Sequence, residues 1–288
     1  MKYAYYPGCS LLSTAAGYDY SFREVCKTLG IELCEVPGWI CCGSTPAHST
    51  SHLLALALPL KNLQLAQMTG AEQLVVPCAA CFSRFKFALS ECEKEPQLKK
   101  QMLEILEGPF PEGIKVVHPL EIFSQDDLLK KIKSAVKNHV PELKLVCYYG
   151  CLLTRPPKVT KFDNCENPVT MDKILSAIGL MPQPWSYKTD CCGASLTLTE
   201  TEVSLKLIQK LIDQAKLAGA QAIALACTLC QTNLDTRQKD IEKASGNSYQ
   251  MPILFFTQLL GLAFGIPPKK LGLNKHLTNP EQVIKKFT

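Results

Sequence analysis

Ten of the fifteen cysteines follow one spacing pattern that occurs twice, and this repeat limits the fold more than any other feature of the chain. Each set has a single cysteine, then an adjacent pair followed by glycine, and finally a Cys-x-x-Cys motif. Because groups of thiols at repeated spacings are typical of metal sites, the sequence predicts two sulfur-ligated metal centres. The two sets are Cys9, Cys41, Cys42, Cys78 and Cys81, and Cys151, Cys191, Cys192, Cys227 and Cys230.

The two halves also match each other outside the cysteines. Residues 65–78 correspond to residues 214–227 at a constant offset, and residues 5–9 correspond to residues 147–151. An internal repeat of this kind indicates duplication and fusion of one structural unit. A chain of this length also suffices for two domains of about 140 residues each. We therefore expect a first domain over residues 1–140 and a second over residues 141–288.

Short apolar runs alternate with longer amphipathic segments, which indicates an α/β fold. Alternating strands and helices favour a mostly parallel sheet flanked by helices in each half. The single cysteine and the Cys-x-x-Cys motif of each set then follow strands, at the carboxyl edge where parallel sheets bind ligands. Thr199 and Glu202 are expected to form a capping box at the start of a helix. Strands are predicted at residues 2–6, 31–36, 74–76, 114–117, 223–225 and 253–256, and helices at residues 19–29 and 200–217.

Composition argues against several classes of protein. The net charge of +5 is mild and the lysines are dispersed, so no nucleic-acid partner is expected. The longest apolar stretches, Leu53–Leu60 and Ile253–Ile266, are too short for a transmembrane segment. The N-terminus lacks the apolar region of a secretory signal, which favours a cytoplasmic protein. Because cytosolic thiols stay reduced, metal ligation or redox chemistry is the preferred interpretation of the cysteines.

Five thiolates in each set exceed what one zinc ion needs. Structural zinc takes four ligands, usually from two Cys-x-x-Cys motifs, whereas each half here has one. Adjacent cysteines in an extended chain point to opposite sides, so a pair such as Cys41-Cys42 reaches one ion only with strain. A polynuclear iron–sulfur cluster accepts sulfurs from several directions. The neighbouring glycines let the backbone approach sulfur closely, and they are Gly8, Gly43, Gly150 and Gly193.

The triplets Cys41-Cys42-Gly43 and Cys191-Cys192-Gly193, in these spacings, resemble the duplicated CCG cysteine-rich domain. The similarity covers nearly the whole chain and is greatest to the family of the catalytic B subunit of heterodisulfide reductase. The other segments that carry it are Cys147-Tyr148-Tyr149-Gly150-Cys151-Leu152-Leu153-Thr154-Arg155-Pro156, Lys188-Thr189-Asp190-Cys191-Cys192-Gly193-Ala194-Ser195-Leu196, Asn233-Leu234-Asp235 and Phe256-Thr257-Gln258-Leu259-Leu260-Gly261.

The resemblance implies that each set of five cysteines binds a non-cubane four-iron four-sulfur cluster. Members of the family reduce the mixed disulfide of coenzyme M and coenzyme B in methanogenesis, within complexes associated with flavin-based electron bifurcation. Electrons arrive through an iron–sulfur C subunit with cubane clusters from a flavin-containing A subunit, so these two proteins are the expected partners. Cys42 and Cys192 are the expected catalytic positions, acting through the clusters that they bind.

A mechanism follows as a hypothesis. A disulfide that enters between the two halves would receive one electron from each centre and leave as two thiols after protonation. Dividing the two-electron reduction between two one-electron sites avoids a free thiyl radical. His48, His52, His118 and several tyrosines are candidate proton sources, although an isolated histidine is more often a packed or surface residue.

The sequence leaves some ligand assignments open. Cys147 lies four residues before Cys151 and could replace it, although Gly150-Cys151 aligns with Gly8-Cys9. A zinc site is an alternative, above all for the second set. The remaining cysteines are expected to be small apolar or incidental residues, and they are Cys26, Cys34, Cys92 and Cys165.

The resemblance also leaves a second function open. The same cysteine-rich domain occurs in electron-transfer subunits of glycolate, lactate and glycerol-3-phosphate oxidising systems, and of thiol-dependent fumarate reductases. In those systems it acts on a quinone or passes electrons onward. A zinc-stabilised scaffold without redox activity is a third interpretation, which would be colourless and free of iron.

Overall fold

Two four-stranded parallel sheets form the framework of the protein in the computed structural model, which describes residues 1–44 and 47–287. The first sheet has β1 (Lys2–Tyr5), β2 (Glu32–Glu35), β3 (Gln73–Val75) and β4 (Lys115–Val117), and the second has β5 (Lys144–Tyr148), β6 (Met181–Pro182), β7 (Ala222–Leu225) and β8 (Ile253–Phe255). The strand orders are β2-β1-β3-β4 and β6-β5-β7-β8, so the second sheet repeats the first. The predicted α/β class, with a parallel sheet in each half, is confirmed.

The inner strands are apolar because both of their faces are covered. All four residues of β7 are buried, and Ile223 of this strand pairs in parallel register with Ile253 of β8. The edge strand β6 contains Pro182, which lacks an N–H and is tolerated at a sheet edge. Strand β6 was not among the predicted strands, because two residues that include a proline give a weak strand signal.

Helices cover both sheets. The helices predicted at residues 19–29 and 200–217 are observed at Ala16–Thr28 and Thr201–Leu217, within a few residues of the expected ends. The helices are α1 (Gly8–Leu11), α2 (Ala16–Thr28), α3 (Ala47–Thr50), α4 (His52–Gln67), α5 (Ala79–Lys94), α6 (Pro96–Leu106), α7 (Pro119–Phe123), α8 (Asp126–Ser134), α9 (Pro157–Thr160), α10 (Thr170–Ala177), α11 (Thr201–Leu217), α12 (Thr228–Thr236), α13 (Gln238–Ser245), α14 (Phe256–Ala263) and α15 (Glu281–Ile284).

The predicted capping box at Thr199 and Glu202 is wrong. Helix α11 begins one residue later than this motif requires, with Glu200 as its N-cap and no side-chain hydrogen bond at that cap. The chain enters the helix from a 3-10 turn, and the Thr201 hydroxyl donates back to the Thr197 carbonyl at 2.9 Å. The Glu200 N–H donates to the Leu196 carbonyl, so the chain passes from the turn into the helix without the expected side-chain cap.

Aromatic side chains join the two repeats into one hydrophobic core. Tyr18 of α2 stacks on Phe255 at the end of β8, with ring centroids 4.3 Å apart. The hydroxyls of Ser21 and Thr257 form a hydrogen bond of 2.6 Å across the same interface, where α2 packs against α14. An aromatic pair of this kind contributes about 1 kcal/mol beyond the area that it buries. The repeats are therefore held in a defined orientation.

The segment between α8 and β5 connects the two sheets. It spans residues 135–143 and contains no helix or strand. The boundary at residue 140 lies in this segment and stays a prediction.

Helix α14 is the most apolar short helix of the second repeat, and all of its residues are buried. Its burial explains the apolar stretch that begins at Ile253. Across the described ranges 1–44 and 47–287, the helices lack the combined length and apolar character that crossing a membrane requires.

Candidate metal centres

The two Cys-x-x-Cys motifs occupy the first turns of helices. Cys78 is the N-cap of α5 and follows the last residue of β3 by three positions, and Cys227 is the N-cap of α12 and follows the last residue of β7 by two. Cys81 and Cys230 lie one turn into these helices. The amino end of a helix carries partial positive charge, which stabilises thiolates. Both motifs thus lie at the carboxyl ends of inner strands, as predicted.

The single cysteine of each set follows a glycine that touches the Cys-x-x-Cys motif. Gly8 has φ +69°, and a Cβ on it would lie 3.2 Å from Cys81 Sγ. Gly150 has φ +70°, and a Cβ there would lie 3.0 Å from Cys230 Sγ. Only glycine combines this left-handed backbone with so close an approach. The expectation that these glycines admit sulfur close to the backbone is confirmed.

We expect Gly150→Ala to disturb the second centre specifically. The added Cβ would enter the space of Cys230 Sγ and would strain a backbone at φ +70°. Gly219→Ala is the matched control, because Gly219 has φ +75° but no atom within 4 Å of an added Cβ. Both variants should lose about 1 kcal/mol of unfolding free energy. Only Gly150→Ala should also lose bound metal, measured by metal analysis, and equal metal content would contradict this interpretation.

The adjacent cysteines divide between the surface and the interior. Cys41 is exposed while Cys42 is buried, and Cys42 Sγ lies 3.1 Å from Cys81 Sγ. In the second repeat Cys192 is the buried member, 3.5 Å from Cys230 Sγ. One member of each pair is therefore exposed and the other buried, although in the first pair the two thiols remain in hydrogen-bond contact with each other.

The glycine after each pair donates to the exposed sulfur. Gly43 N–H lies 3.4 Å from Cys41 Sγ, and Gly193 N–H lies 3.3 Å from Cys191 Sγ. Both glycines have positive φ, which turns the N–H back toward the sulfur. Such backbone donors stabilise negative charge on a ligand sulfur.

A tyrosine anchors each cysteine pair, and sequence reasoning missed it. The Tyr6 hydroxyl donates to the carbonyl of Ile40, the residue before the first pair, at 2.8 Å. The Tyr148 hydroxyl does the same to Asp190 before the second pair, at 2.7 Å. Asn62 adds a bond of 2.8 Å from Ile40 N to its Oδ1. The signal was present, since each tyrosine stands three residues before the single cysteine of its set.

The thiols of the first set influence one another's protonation. Hydrogen bonding with Cys41, followed by hydrogen bonding with Cys81, lowers the pKa of Cys42 well below its usual value. The hydrogen bond to Cys42 raises the pKa of Cys41, and the nearby Cys9 raises it further. A hydrogen bond from Cys81 likewise lowers the pKa of Cys78. All five sulfurs of the set are therefore close enough to influence one another's charge.

The second set shows the same coupling. Hydrogen bonding with Cys151 lowers the pKa of Cys191, and hydrogen bonding with Cys230 lowers the pKa of Cys192. The pKa of Cys230 is raised by its hydrogen bonds to Cys192 and Cys227. The structure therefore brings together the five cysteines that the repeat singled out in each half.

The thiol of Cys147 interacts with Asp172. It is buried in β5, and burial, followed by the charge of Asp172, raises the pKa of its thiol. Its carbonyl accepts from Trp185 Nε1 at 2.9 Å. Cys151, by contrast, is hydrogen-bonded to Cys191. This geometry favours Cys151 over Cys147 as the fifth donor.

The remaining cysteines lie in ordinary positions. Cys26 is buried in α2 and Cys92 is buried in α5, while Cys34 is half-buried in β2. Cys165 is half-buried in a loop, with its thiol 3.7 Å from the Glu166 carboxylate.

His118 connects the two Cys-x-x-Cys motifs. Its Nε2 lies 2.9 Å from the carbonyl of Pro77 and 3.2 Å from the carbonyl of Ala226, the residues before Cys78 and Cys227. Its Nδ1 accepts from Leu120 N at 3.2 Å, so the proton resides on Nε2. The role of His118 is therefore to hold both motifs in place.

His118 is a wrong candidate for a proton source. The ring is fully buried, and burial lowers its pKa to about 4. A neutral imidazole whose N–H is bonded to carbonyls has no proton to release near neutral pH. His52, also named as a candidate, is exposed and pairs with Glu91 at 2.6 Å, and His48 lies exposed in α3.

The donor sets suit an iron–sulfur cluster in number and chemistry. Each provides five soft thiols, which approach from a strand end, a helix N-terminus and an extended loop. Within residues 1–44 and 47–287, no three His, Cys, Asp or Glu side chains are already arranged around a single metal ion. Cys9, Cys41 and Cys191 are exposed, so each set extends from the interior to the surface.

Comparison with known proteins agrees with this arrangement. The sequence profile of the CCG cysteine-rich domain matches residues 3–86 and 145–235, one match in each half. A solved structure, a hypothetical protein from Helicobacter pylori, superposes with a TM-score of 0.72 at 14% identity. It covers 96% of this chain, whereas the present chain spans about half (52%) of that protein.

Three curated relatives align over almost their full lengths. The membrane anchor subunit of the 8-methylmenaquinol:fumarate reductase of Wolinella succinogenes is 30% identical, covering 96% of each chain. The B subunit of the ferredoxin:CoB-CoM heterodisulfide reductase of Methanosarcina mazei is 27% identical, covering 96% of this chain and 93% of the relative. An Archaeoglobus profundus protein, named as similar to the heterodisulfide reductase B subunit, is 26% identical, covering 100% and 98%.

Proposed function

Because the chain belongs to the CCG cysteine-rich domain family, with one copy of the domain in each half, we propose that it is an iron–sulfur oxidoreductase subunit of the heterodisulfide reductase type. The observation that carries this proposal is the contact between the two Cys-x-x-Cys motifs. Thr228, within the second Cys-x-x-Cys motif, donates to Cys78 Sγ of the first at 3.1 Å. Two centres this close can serve one substrate.

The proposed reaction is the reduction of a disulfide to two thiols, which consumes two electrons and two protons. Two non-cubane four-iron four-sulfur clusters, when bound, would supply the electrons one at a time. Cys9, Cys41, Cys42, Cys78 and Cys81 would hold the first, and Cys151, Cys191, Cys192, Cys227 and Cys230 the second. The disulfide would enter between the two halves.

The chain's own residues have two tasks in this proposal. Cys42 and Cys192 hold the buried side of each centre, where the neighbouring thiols of Cys81 and Cys230 lie within 3.5 Å. The exposed thiols, such as Cys9, leave the outer side accessible to substrate. The two protons would come from solvent, since burial lowers the pKa of His118 and leaves it without contact to water.

The proposed partners follow the named relatives. The Methanosarcina mazei protein is a subunit of a ferredoxin-linked CoB-CoM heterodisulfide reductase. By analogy we propose two electron donors, an iron–sulfur protein with cubane clusters that resembles the C subunit and a flavin-containing protein that resembles the A subunit. The substrate would be the CoM-CoB disulfide or another disulfide. A cytoplasmic location, a role in methanogenesis and a part in flavin-based bifurcation remain proposals.

A second candidate function is electron transfer between a quinol and a fumarate reductase-type flavoprotein. The Wolinella succinogenes relative supports it through 30% identity over 96% of both chains. The same pair of centres would then accept electrons from the quinol and pass them onward. Disulfide reduction and quinol oxidation are separable by assay.

We expect anaerobically purified protein to be brown and to contain about eight iron atoms per chain. With a reduced viologen dye as donor, it should reduce the CoM-CoB disulfide and release two thiols per disulfide, measured by thiol titration. A menaquinol analogue with a fumarate reductase flavoprotein tests the second candidate. Iron-containing protein active only in the second assay would replace the first proposal, and protein with zinc alone would contradict both.

A further inference from the structure

The two Cys-x-x-Cys motifs touch each other across the repeat interface. Thr228 is the first residue of α12, and its hydroxyl donates to Cys78 Sγ at 3.1 Å. Both side chains are buried. A buried hydroxyl needs a hydrogen-bond partner, and here that partner is a sulfur 150 residues away in the chain.

His118 holds the two motifs together next to this contact. Its Nε2 bonds the carbonyls of Pro77 and Ala226, which directly precede Cys78 and Cys227. The two loops are therefore held together by a residue that contacts neither sulfur directly. These two hydrogen bonds of His118 help to keep the Thr228 hydroxyl within hydrogen-bond distance of Cys78.

The contact is not matched by the corresponding position of the first repeat. Ala79 follows Cys78 as Thr228 follows Cys227, and alanine has no hydroxyl to donate. The duplicated motifs thus differ at the residue that reaches across the interface. This difference makes the surroundings of the two centres unequal.

We propose that Thr228 is a positioning residue that raises the reduction potential of the first centre through its hydrogen bond to Cys78. Hydrogen bonds to ligand sulfurs are a recognised determinant of cluster potential, because a donor stabilises the more negative reduced state. The inference rests on the proposed iron–sulfur occupancy of the first set. The donor lies within the Cys-x-x-Cys motif of the second centre. The position of that motif therefore influences the first centre.

Thr228→Val tests the inference, since valine keeps the shape and removes the hydroxyl. In the complete protein, we expect one of two cluster signals to become about tenfold harder to reduce, which is ~59 mV for a one-electron couple. A redox titration followed by electron paramagnetic resonance measures it. Cys42→Ala identifies the shifted signal as that of the first centre. Thr228→Ser should keep the original potential, and Thr228→Ala should show the same shift as valine.

Thr257→Val is the matched control. It also removes a buried hydroxyl that crosses the interface, in this case the 2.6 Å bond to Ser21. An equal shift in Thr257→Val would overturn the inference, because loosening of the interface would then be the cause. Unchanged potentials in Thr228→Val would overturn the role of Thr228 and leave the proposed function intact. Protein without iron would overturn both.

Discussion

Replacing Cys192 by alanine is expected to remove about half of the bound iron and to abolish disulfide reduction while the chain stays folded. Cys192 is buried with its sulfur 3.5 Å from Cys230, so its loss removes one donor from the inner side of the second centre. Its backbone should stay in place, because Asn233 Nδ2 donates to the Cys192 carbonyl at 2.7 Å. Cys42→Ala should have the same effect on the first centre.

The control for this prediction is Cys92→Ala. Cys92 is also buried, in the same helix as Cys81, but belongs to neither set. The free energy of unfolding of both alanine variants should lie within about 1 kcal/mol of the wild-type value, as measured by denaturant unfolding. Iron analysis and turnover then separate them. Undiminished turnover in Cys192→Ala, or equal iron loss in Cys92→Ala, would refute the ligand assignment.

His118→Leu is expected to lower the free energy of unfolding by about 3 kcal/mol. The substitution takes the donor from two buried carbonyls, those of Pro77 and Ala226, and the acceptor from Leu120 N. Each buried polar group left without a partner costs about 1–3 kcal/mol. Urea unfolding under anaerobic conditions measures the loss. His139→Leu, at an exposed position, is the control and should be nearly neutral.

The pH dependence of stability gives an independent test of His118. Burial lowers its pKa to about 4 from the usual 6.5, so the unfolded chain binds this proton more readily than the folded one. Stability is therefore full above about pH 6.5 and falls as the pH drops toward 4. Between pH 7 and pH 5.5 the loss from this group is about 1 kcal/mol. His118→Leu should lack that part of the loss, and identical pH slopes would contradict the assignment.

The strand and helix pattern was predictable because it depends on residues that are close together in the sequence. The apolar runs before Cys78 and Cys227 predicted β3 and β7 to within a residue or two, and the cysteines followed them at helix starts. Local reasoning failed at Thr199, where a competing 3-10 turn leads into the helix instead. Strand β6 also escaped prediction because it is only two residues long.

The sequence by itself determined the α/β repeat and singled out the ten cysteines that we propose as donors, because spacing and apolar patterning act over neighbouring residues. Only the tertiary structure decided how the two centres relate to each other. The stack of Tyr18 on Phe255, the bridge made by His118 and the bond from Thr228 to Cys78 join residues far apart in the chain. Such contacts depend on how the two repeats pack, and packing selects partners through shape and buried hydrogen bonds that no local pattern encodes.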